Sequence, residues 1–389
     1  MFDVDVAIVG GGPAGLTAAA ALLRERPDLA ERTVVLERAT YPRDKPCAGA
    51  VGGRGLAILR ALDLEPAVPH VPIEGMTLRT RFGDCTARVG AIGRVVRRFE
   101  FDSALARLAR ARGVRIVEGA RVERVEAGPD GATLTTHTGT LLARLVIGAD
   151  GVGSTVRKAI GLGPGRHRAQ VIEVDTPPIA GDPPRGVLRF DVSDPDLPGY
   201  AWDFATSVAG QPLVCRGVYH LKGVGPGGEL DLAARLDARL RAQGLDPARC
   251  AARRYAERGL ALDAPLARGP LMLCGEAAGI DPITGEGIAQ AIEYGELAGR
   301  FAAGVLAGRA HLDDWTRFIH RSRLGRDLAA RVRLAPLVYG ALRPLAERAL
   351  ALPGVLGLGC RHFGDRWPAP WSAWLGGRLP GLDRLRRAA

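Results

Sequence analysis

Lysine is almost absent from this chain of 389 residues, and no two cysteines have the CxxC spacing. The only lysines are Lys45, Lys158 and Lys222, although the formal net charge is +11. The arginines that supply this charge are scattered singly and form no basic stripe with aromatic residues, so we expect no nucleic-acid partner. There are six cysteines, none in a CxxC pair, and no secretion signal precedes the first strand, which predicts a reducing cytoplasmic location.

Metal-ligand spacing is also missing among the seven histidines, so we expect no metal site. No apolar run reaches about 18 residues, which excludes a simple membrane-spanning helix. The most apolar late stretch, "LAPLVYGALRPLAERALALPGVLGLG", is interrupted by Arg343, Glu347 and Arg348. This stretch could still lie against a bilayer, so peripheral membrane contact stays open.

Glycine, in contrast, is abundant, and the first cluster has the pattern of a dinucleotide-binding turn. The run "VAIVG" predicts a buried parallel strand, and "AGLTAAAALL" predicts a helix directly after it. Between them, Gly10 permits a tight turn, Gly12 lets a pyrophosphate approach the backbone, and Gly15 lets helix and strand pack closely. The amides at the helix N-terminus would bind the phosphates.

Glu37 ends the second predicted strand, "TVVLER", about 20 residues after Gly15. An acid at this place accepts hydrogen bonds from the ribose hydroxyls of an adenosine moiety, which favours a ribose without a 2′-phosphate. Both NAD and FAD bind through this pattern, so the first motif alone leaves the choice of cofactor open.

Two later motifs resemble those of the glutathione-reductase-type FAD proteins of the aromatic-hydroxylase superfamily. The stretch "LVIGADGVGSTVRKA" contains Gly148 to Gly151 in the place of that superfamily's DG motif. The stretch "CGEAAGIDPITGEGI" contains Gly275 and Glu276 in the place of its GD motif. The resemblance implies FAD, with the acid binding the ribityl chain and the glycines bringing backbone amides to the isoalloxazine ring.

Within that superfamily, the chain resembles the geranylgeranyl reductase family in four stretches. These are "GEAAGIDPITGEGIAQAIEYG", "RDKPCAGAV", "VRRFEFDSALARLA" and "PGYAWDFATS". The chain departs from the family pattern at Glu276, where an aspartate is usual, at Ala205, where a proline is usual, and at Ala48, where a glycine is common.

Motif and resemblance together predict a set of FAD-binding residues. They are Gly10, Gly12, Pro13, Ala14, Gly15, Glu37, Arg38, Cys47, Ala48, Arg98, Asp150, Gly275, Glu276, Pro282, Gly285, Gly287 and Ile288. The resemblance also places Cys47 near the flavin, where it is either a catalytic residue or a small buried hydrophobe.

Tyr200, Trp202 and Phe204 alternate along a predicted strand and therefore share one of its faces. They form either an ordinary aromatic core or, as the family motif implies, the apolar wall of a substrate cavity. Asp203 should face the opposite side, where we expect a polar replacement to have little effect. We interpret Glu286 as a loop acid that caps the following helix.

The predicted fold is α/β, with a Rossmann FAD domain of the glutathione-reductase type interleaved with an α+β substrate domain on an antiparallel sheet. The FAD domain is assigned to residues 1–68, 94–165 and 262–310, and the substrate domain to residues 69–93 and 166–261. Residues 311–389 are predicted to form helices and a basic tail, broken by Pro353, Pro368, Pro370 and Pro380. The glycine-rich residues 223–229 are predicted to form a loop.

The resemblance implies an FAD-dependent reductase of isolated C=C bonds in a polyprenyl chain. A second hypothesis is an FAD-dependent monooxygenase or halogenase that acts on a lipid or polyketide-like product. A third is a flavin-dependent cyclase or isomerase without net redox change. Because no second nicotinamide domain is visible, electrons would come from NAD(P)H that binds transiently, or from a reduced carrier protein.

Overall fold

The computed structural model describes residues 2–224, 230–340 and 342–366. The predicted 223–229 loop therefore lies mostly outside the described residues, as do the predicted tail and Pro368, Pro370 and Pro380. The described strands are β1 Val4–Val9, β2 Thr33–Leu36, β3 Ala50–Gly52, β4 His70–Thr80, β5 Gly83–Val96, β6 Ile116–Val117, β7 Val122–Ala127, β8 Ala132–Thr136, β9 Gly139–Gly148, β10 Arg168–Thr176, β11 Val187–Asp191, β12 Gly199–Val208, β13 Gln211–Lys222, β14 Arg253–Arg258, β15 Ala267–Arg268 and β16 Leu271–Leu273.

The described α-helices lie between strands or after the last strand, β16. They are α1 Pro13–Glu25, α2 Gly53–Ala61, α3 Arg98–Ala111, α4 Thr155–Ala159, α5 Leu232–Ala242, α6 Ile288–Leu306, α7 Trp315–Arg321, α8 Arg323–Val338, α9 Arg343–Leu350 and α10 Pro353–Phe363. Short 3₁₀ turns lie at Pro27–Arg32, Pro247–Arg249, Gly275–Ala277 and Leu312–Asp314.

The first sheet has the strand order β15-β16-β9-β1-β2-β6, and β8 and β7 extend it from β9. Strand β1 pairs in parallel with both β2 and β9, and β16 pairs in parallel with β9. The inner strands are apolar on both faces because helices cover both sides, as is usual for parallel sheets. The carboxyl ends of β1, β9 and β16 therefore meet at one edge, where all three predicted motifs follow their strands.

Helices α1 and α6 pack on this sheet with almost no side chain between their backbones. A Cβ atom at Gly295 would overlap the carbonyl oxygen of Ala14, and one at Gly299 would overlap that of Ala18. Glycine is required at both positions because only a bare backbone permits this approach. The two helices therefore run side by side, with Ala14 at the start of α1 opposite Gly295 in the first half of α6.

The second sheet has the order β14-β10-β13-β12-β11-β4-β5-β3 and is antiparallel except for the β11–β4 pair. Its aromatic face carries one apolar core, and helix α5 covers a smaller core on the opposite face. The predicted α/β class with two sheets and C-terminal helices is confirmed. Strand β3 lies inside the predicted FAD segment 1–68 yet joins the second sheet, and the domain boundaries stay a prediction.

Candidate functional site

The turn between β1 and α1 has the geometry that the glycine pattern predicted. Gly10 has a φ of +104°, a region that side chains disfavour. A Cβ atom at Gly15 would overlap the Gly10 carbonyl oxygen, whereas one at Gly12 would find only Arg43 Nη2, at 3.8 Å. Gly12 is also the N-cap of α1 and supplies no side-chain cap. The space beside Gly12 and the first amides of α1 fit a pyrophosphate.

Pro13 and Ala14 form the buried first turn of α1, next to the third motif. A Cβ atom at Gly275 would lie 2.7 Å from the Cβ atom of Ala14, and Gly275 has a φ of +59°. The first and third motifs are therefore in direct contact, with the Gly275 backbone against the Ala14 side chain.

Glu37 lies at the end of β2 with its carboxylate turned to the glycine turn. Its Oε2 accepts from the Gly11 amide at 2.8 Å, and its Oε1 accepts from the Ala39 amide at 2.9 Å. Each carboxylate oxygen has further lone pairs, so this acid fits the ribose role predicted for it. The predicted neighbour Arg38 is exposed.

Tyr41 and Arg43, which the sequence reasoning missed, lie over the same turn. The Tyr41 hydroxyl donates to the Gly11 carbonyl. Arg43 lies 3.5 Å from Glu37 and 3.1 Å from Asp102, so its guanidinium bridges β2 and α3 beside Gly12. This cation would face the pyrophosphate of a bound dinucleotide. Arg43 is the first residue of the stretch "RDKPCAGAV", but the resemblance predicts a cofactor role only for Cys47 and Ala48 of that stretch.

The second and third motifs meet at the carboxyl ends of β9 and β16. Asp150 uses its carboxylate to accept from the Thr155 amide at 2.6 Å and from the Ser154 hydroxyl at 2.5 Å, so it caps α4. A Cβ atom at Gly151 would lie 3.7 Å from Glu276 Oε2. That oxygen also accepts from Lys45 Nζ at 2.9 Å. Glu276 has one methylene more than the usual aspartate, and its carboxylate lies beside the DG turn.

Cys47 and Ala48 lie in the loop before β3, between the two sheets. The Cys47 amide donates to Glu173 Oε1 at 2.9 Å. Burial raises the pKa of the Cys47 thiol, and the nearby Arg98 guanidinium only partly offsets this effect. The thiol form is therefore favoured at neutral pH, which speaks for the small hydrophobe and against a thiolate. The predicted catalytic role of Cys47 stays untested.

Arg98 begins α3 and is buried, as a residue near a bound cofactor could be. It donates to Asp102 at 2.7 and 2.6 Å through two nitrogens. Because Asp102 also contacts Arg43, one carboxylate holds both cations in place. The structure thus shows a positioned cation at this end of α3, while its contact with FAD stays a prediction.

The loop from Asp281 to Gly287 connects the third motif to α6. Pro282 is buried, Gly285 has a φ of +63°, and Gly287 is an N-cap without a side-chain cap. Ile288 is the first, buried residue of α6. Amides at this helix start are suited to an anionic group, as the resemblance implied.

The prediction that Glu286 caps α6 is wrong. Its carboxylate lies 3.6 Å from Arg331 of α8, and no side chain caps the helix. Burial raises the pKa of Glu286 to about 7, which Arg331 partly offsets. The acid points away from the helix start because Arg331 draws it towards α8.

The aromatic face of the second sheet packs directly on this loop. Tyr200, Trp202 and Phe204 are all buried on that face, with Phe190 and Tyr219 beside them. The Tyr200 hydroxyl donates to the Thr284 carbonyl, and the Tyr219 hydroxyl donates to the Pro282 carbonyl at 2.9 Å. The side chains of Tyr200, Trp202 and Phe204, which we call the aromatic wall, therefore lie next to the predicted flavin loop, and their contact with a substrate stays a prediction.

Asp203 faces the opposite side, as expected, but the expected tolerance there is wrong. Its side chain is fully buried and pairs with Arg216 at 3.0 Å, with Arg239 at 2.6 Å and with Arg189 at 3.4 Å. The far face of β12 is covered by α5, which supplies Arg239. A buried carboxylate with three cations cannot be exchanged freely.

Known proteins are similar to this chain over part or most of its length. Residues 3–184 match a family model described as an FAD binding domain. The menaquinone reductase of Mycobacterium tuberculosis is 29% identical over 380 residues, which cover 91% of this chain and 90% of that protein. The 3-amino-4-hydroxybenzoate 2-monooxygenase of Streptomyces cremeus is 34% identical over 178 residues, or 41% of this chain and 42% of that protein.

Among solved structures, a geranylgeranyl bacteriochlorophyll reductase-like protein from Thermoplasma acidophilum has the same fold. The TM-score is 0.71 at 19% identity, and the match covers 99% of each chain. The predicted FAD-binding fold is thereby confirmed.

Proposed function

We propose that this chain, an FAD-dependent oxidoreductase, reduces isolated C=C bonds of a polyprenyl chain. The observation that carries the proposal is the aromatic face of the second sheet, which packs on the loop before α6. Such a surface can hold an apolar chain but offers few polar groups to a polar substrate. Geranylgeranyl and menaquinone, named in two of the similar proteins, both contain a polyprenyl chain.

The residues present fit FAD at the edge where β1, β9 and β16 end. Gly12 and the first turn of α1 would bind the pyrophosphate, Glu37 the adenosine ribose, and Glu276 the ribityl chain. Bound and reduced, FAD would supply a hydride to one alkene carbon. An alkene has no oxygen on which charge could be stabilised, so the protein must position the chain closely and exclude water. The aromatic side chains are suited to both tasks.

The electron donor we propose is NAD(P)H or a reduced carrier protein. The predicted cytoplasmic location is part of the same proposal.

The substrate would reach the protein from a membrane surface. Exposed apolar side chains are concentrated in α8 to α10 and in the segments that connect these helices. We call this group the C-terminal apolar surface. Its members are Leu334, Leu337, Leu342, Leu345, Leu352, Val355 and Leu358. In the described part of residues 331–366, every exposed charged side chain is an arginine: Arg333, Arg348, Arg361 and Arg366. Apolar side chains beside cations suit an anionic bilayer surface.

No helix among the described residues is both long enough and apolar enough to cross a bilayer.

The experiment that tests the proposed function is anaerobic incubation of dithionite-reduced protein with a panel of prenyl lipids. The panel should vary the head group and the chain length. Mass spectrometry should show the gain of one hydrogen molecule for each bond reduced. Panel members that stay unchanged with fully reduced flavin would contradict the proposal.

A monooxygenase is the second candidate, favoured by the match to the Streptomyces cremeus enzyme. It would consume oxygen with NAD(P)H and add an oxygen atom to the product. Turnover without any reductant would instead indicate the non-redox cyclase or isomerase.

A further inference from the structure

Two carboxyl groups lie on the same face of the second sheet as the aromatic wall. Across the sheet, Tyr255 pairs with Val171, Val171 with Tyr219, and Tyr219 with Tyr200. Residues two apart on a strand share a face, so Glu257 of β14 and Glu173 of β10 both project to the aromatic side. Acids in such apolar surroundings need either partners or a proton.

Glu173 has partners for both of its oxygens. Oε1 accepts from the Cys47 amide at 2.9 Å and lies 3.2 Å from Arg253. Oε2 accepts from the Tyr255 hydroxyl at 3.2 Å. Burial raises the pKa of Glu173 as well, but Arg253 and the Tyr255 hydroxyl partly offset this effect. These contacts position Glu173 against the Cys47 loop.

Glu257 differs, because its Oε2 is buried and has no hydrogen-bond partner among the described residues. This oxygen lies against the backbone of Gly285, where a Cβ atom would overlap it and would lie 3.1 Å from the Tyr219 ring. Glu257 is therefore directed at the loop between the third motif and α6, at the rim of the aromatic wall.

The charges around Glu257 favour its neutral form. Burial raises the pKa of Glu257 well above its usual value, and the nearby carboxylates of Glu276, Asp281 and Glu173 add to this effect. Lys45 opposes it, but that ammonium is already paired with Glu276 at 2.9 Å. The neighbouring hydroxyls of Tyr219 and Tyr255 donate to the Pro282 carbonyl and to Glu173. Both hydroxyl protons are thus used elsewhere.

We infer that Glu257 is the proton donor that completes the reduction of the prenyl double bond, an inference that rests on the proposed function. One alkene carbon gains a C–H bond from the hydride of reduced FAD. The π electron pair forms the second C–H bond with the proton of the Glu257 carboxyl. The O–H bond breaks, and the resulting carboxylate recovers its proton from solvent, so each bond consumes one hydride and one proton.

The first test measures the protonation of Glu257 without turnover. Infrared spectra of the FAD-loaded protein should contain the carbonyl band of a neutral carboxyl at a pH above the Glu286 pKa of about 7. Burial also raises the pKa of Glu173 and Asp150, so the test is the difference between two spectra. The wild-type spectrum minus that of Glu257→Gln should contain this band, and Glu173→Gln and Glu286→Gln should each keep the component that Glu257→Gln loses. If the wild-type spectrum has no such band, or if Glu257→Gln removes no component of it, the inference is overturned.

The second test measures the reaction of the same variants. Glu257→Gln should keep its FAD content and flavin reduction by dithionite, while prenyl reduction falls by about 10²–10⁴-fold, the usual contribution of a general acid. In the wild type the rate should fall as the pH rises through the Glu257 pKa, because only the neutral acid can donate. Glu257→Asp should recover part of the rate.

The outcomes separate this inference from the proposed function. If the wild type reduces no prenyl lipid, the proposed function fails, and the infrared band alone decides the state of Glu257. If the wild type and Glu257→Gln reduce prenyl lipids equally, the function stands and Glu257 is not the donor. A steep loss in Glu286→Gln with none in Glu257→Gln would assign the proton to the other acid.

Discussion

Gly12 and Gly15 are three residues apart, and the structure predicts that their replacement affects protein stability differently. A side chain at Gly12 meets only Arg43 and should leave the fold intact, whereas one at Gly15 would overlap the Gly10 carbonyl oxygen. We expect Gly12→Val to fold normally and to lose FAD, because valine would occupy the pyrophosphate space. Circular dichroism and the flavin absorbance of purified protein measure the two properties.

Gly15→Ala provides the matched control, since it should lower the melting temperature as well as the FAD content. Full FAD occupancy in folded Gly12→Val would remove the first motif from the cofactor site.

Glu276 allows a second residue-scale prediction. If its carboxylate binds the ribityl chain, Glu276→Asp should keep most of the FAD affinity. Glu276→Ala should lose a charge-assisted hydrogen bond worth about 1.5–3 kcal/mol. Isothermal titration of flavin-free protein with FAD measures both effects.

Lys45→Met is the control for Glu276, because it removes the observed ion pair and leaves the carboxylate in place. A loss in Glu276→Ala that Lys45→Met reproduces in full would mean that the ion pair, not a hydrogen bond to the cofactor, is responsible. Equal affinity in all of these proteins would show that the acid does not contact FAD.

At the scale of one strand, alternate side chains of β12 face opposite sides of the second sheet, and we expect the two faces to have different roles. Trp202→Ala opens space on the aromatic face, and losing a buried aromatic typically costs about 3–5 kcal/mol of stability. If the wall holds a prenyl chain, the folded variant should retain FAD, while prenyl reduction falls steeply or moves to other double bonds. Thermal unfolding, flavin content and product mass spectra check these outcomes separately. A folded, flavin-loaded variant with unchanged prenyl turnover would exclude Trp202 from the site.

Asp203→Asn, on the other face of β12, should act on stability alone. Removing this charge leaves the fully buried Arg216 less well compensated, and breaking a buried ion pair costs about 3–5 kcal/mol. Denaturant unfolding should show the loss, with the distribution of reduced double bonds unchanged. A wild-type free energy of unfolding in Asp203→Asn would contradict the ion-pair network.

Strand β12 also shows which features of the fold and the site can be predicted from the sequence. Alternation placed Tyr200, Trp202 and Phe204 on one face correctly, because it is a local property of the backbone. It could not show that α5, far along the chain, covers Asp203. The glycine turns were predictable for the same local reason. Arg43 and Glu257 were not, since their places depend on how distant strands and loops come together.

At the scale of the whole molecule, the C-terminal apolar surface predicts binding to anionic bilayers. The protein should sediment with vesicles that contain phosphatidylglycerol more strongly than with pure phosphatidylcholine vesicles, and salt should weaken the binding. Leu345→Glu, at the most exposed of these leucines, should reduce vesicle binding because it places a charge at the lipid face. Unchanged binding in this variant would exclude α9 from the membrane contact.

Val117→Glu is the matched control for the vesicle experiment. It places the same charge on an exposed apolar position of β6, away from α8 to α10. We expect its vesicle binding to equal that of the wild type.

The glycine contact between α1 and α6 has a consequence for cofactor selectivity. Backbone touching backbone at Gly295 and Gly299 leaves no side chain that could adjust the spacing of the two helices. The distance between the amides at Gly12 and those at Gly287 is therefore fixed before any ligand arrives. Such preorganisation favours a ligand that is long enough to contact both helix ends at once, whereas a mononucleotide can contact only one of them. The protein should consequently be purified with FAD and discriminate against FMN by molecular length.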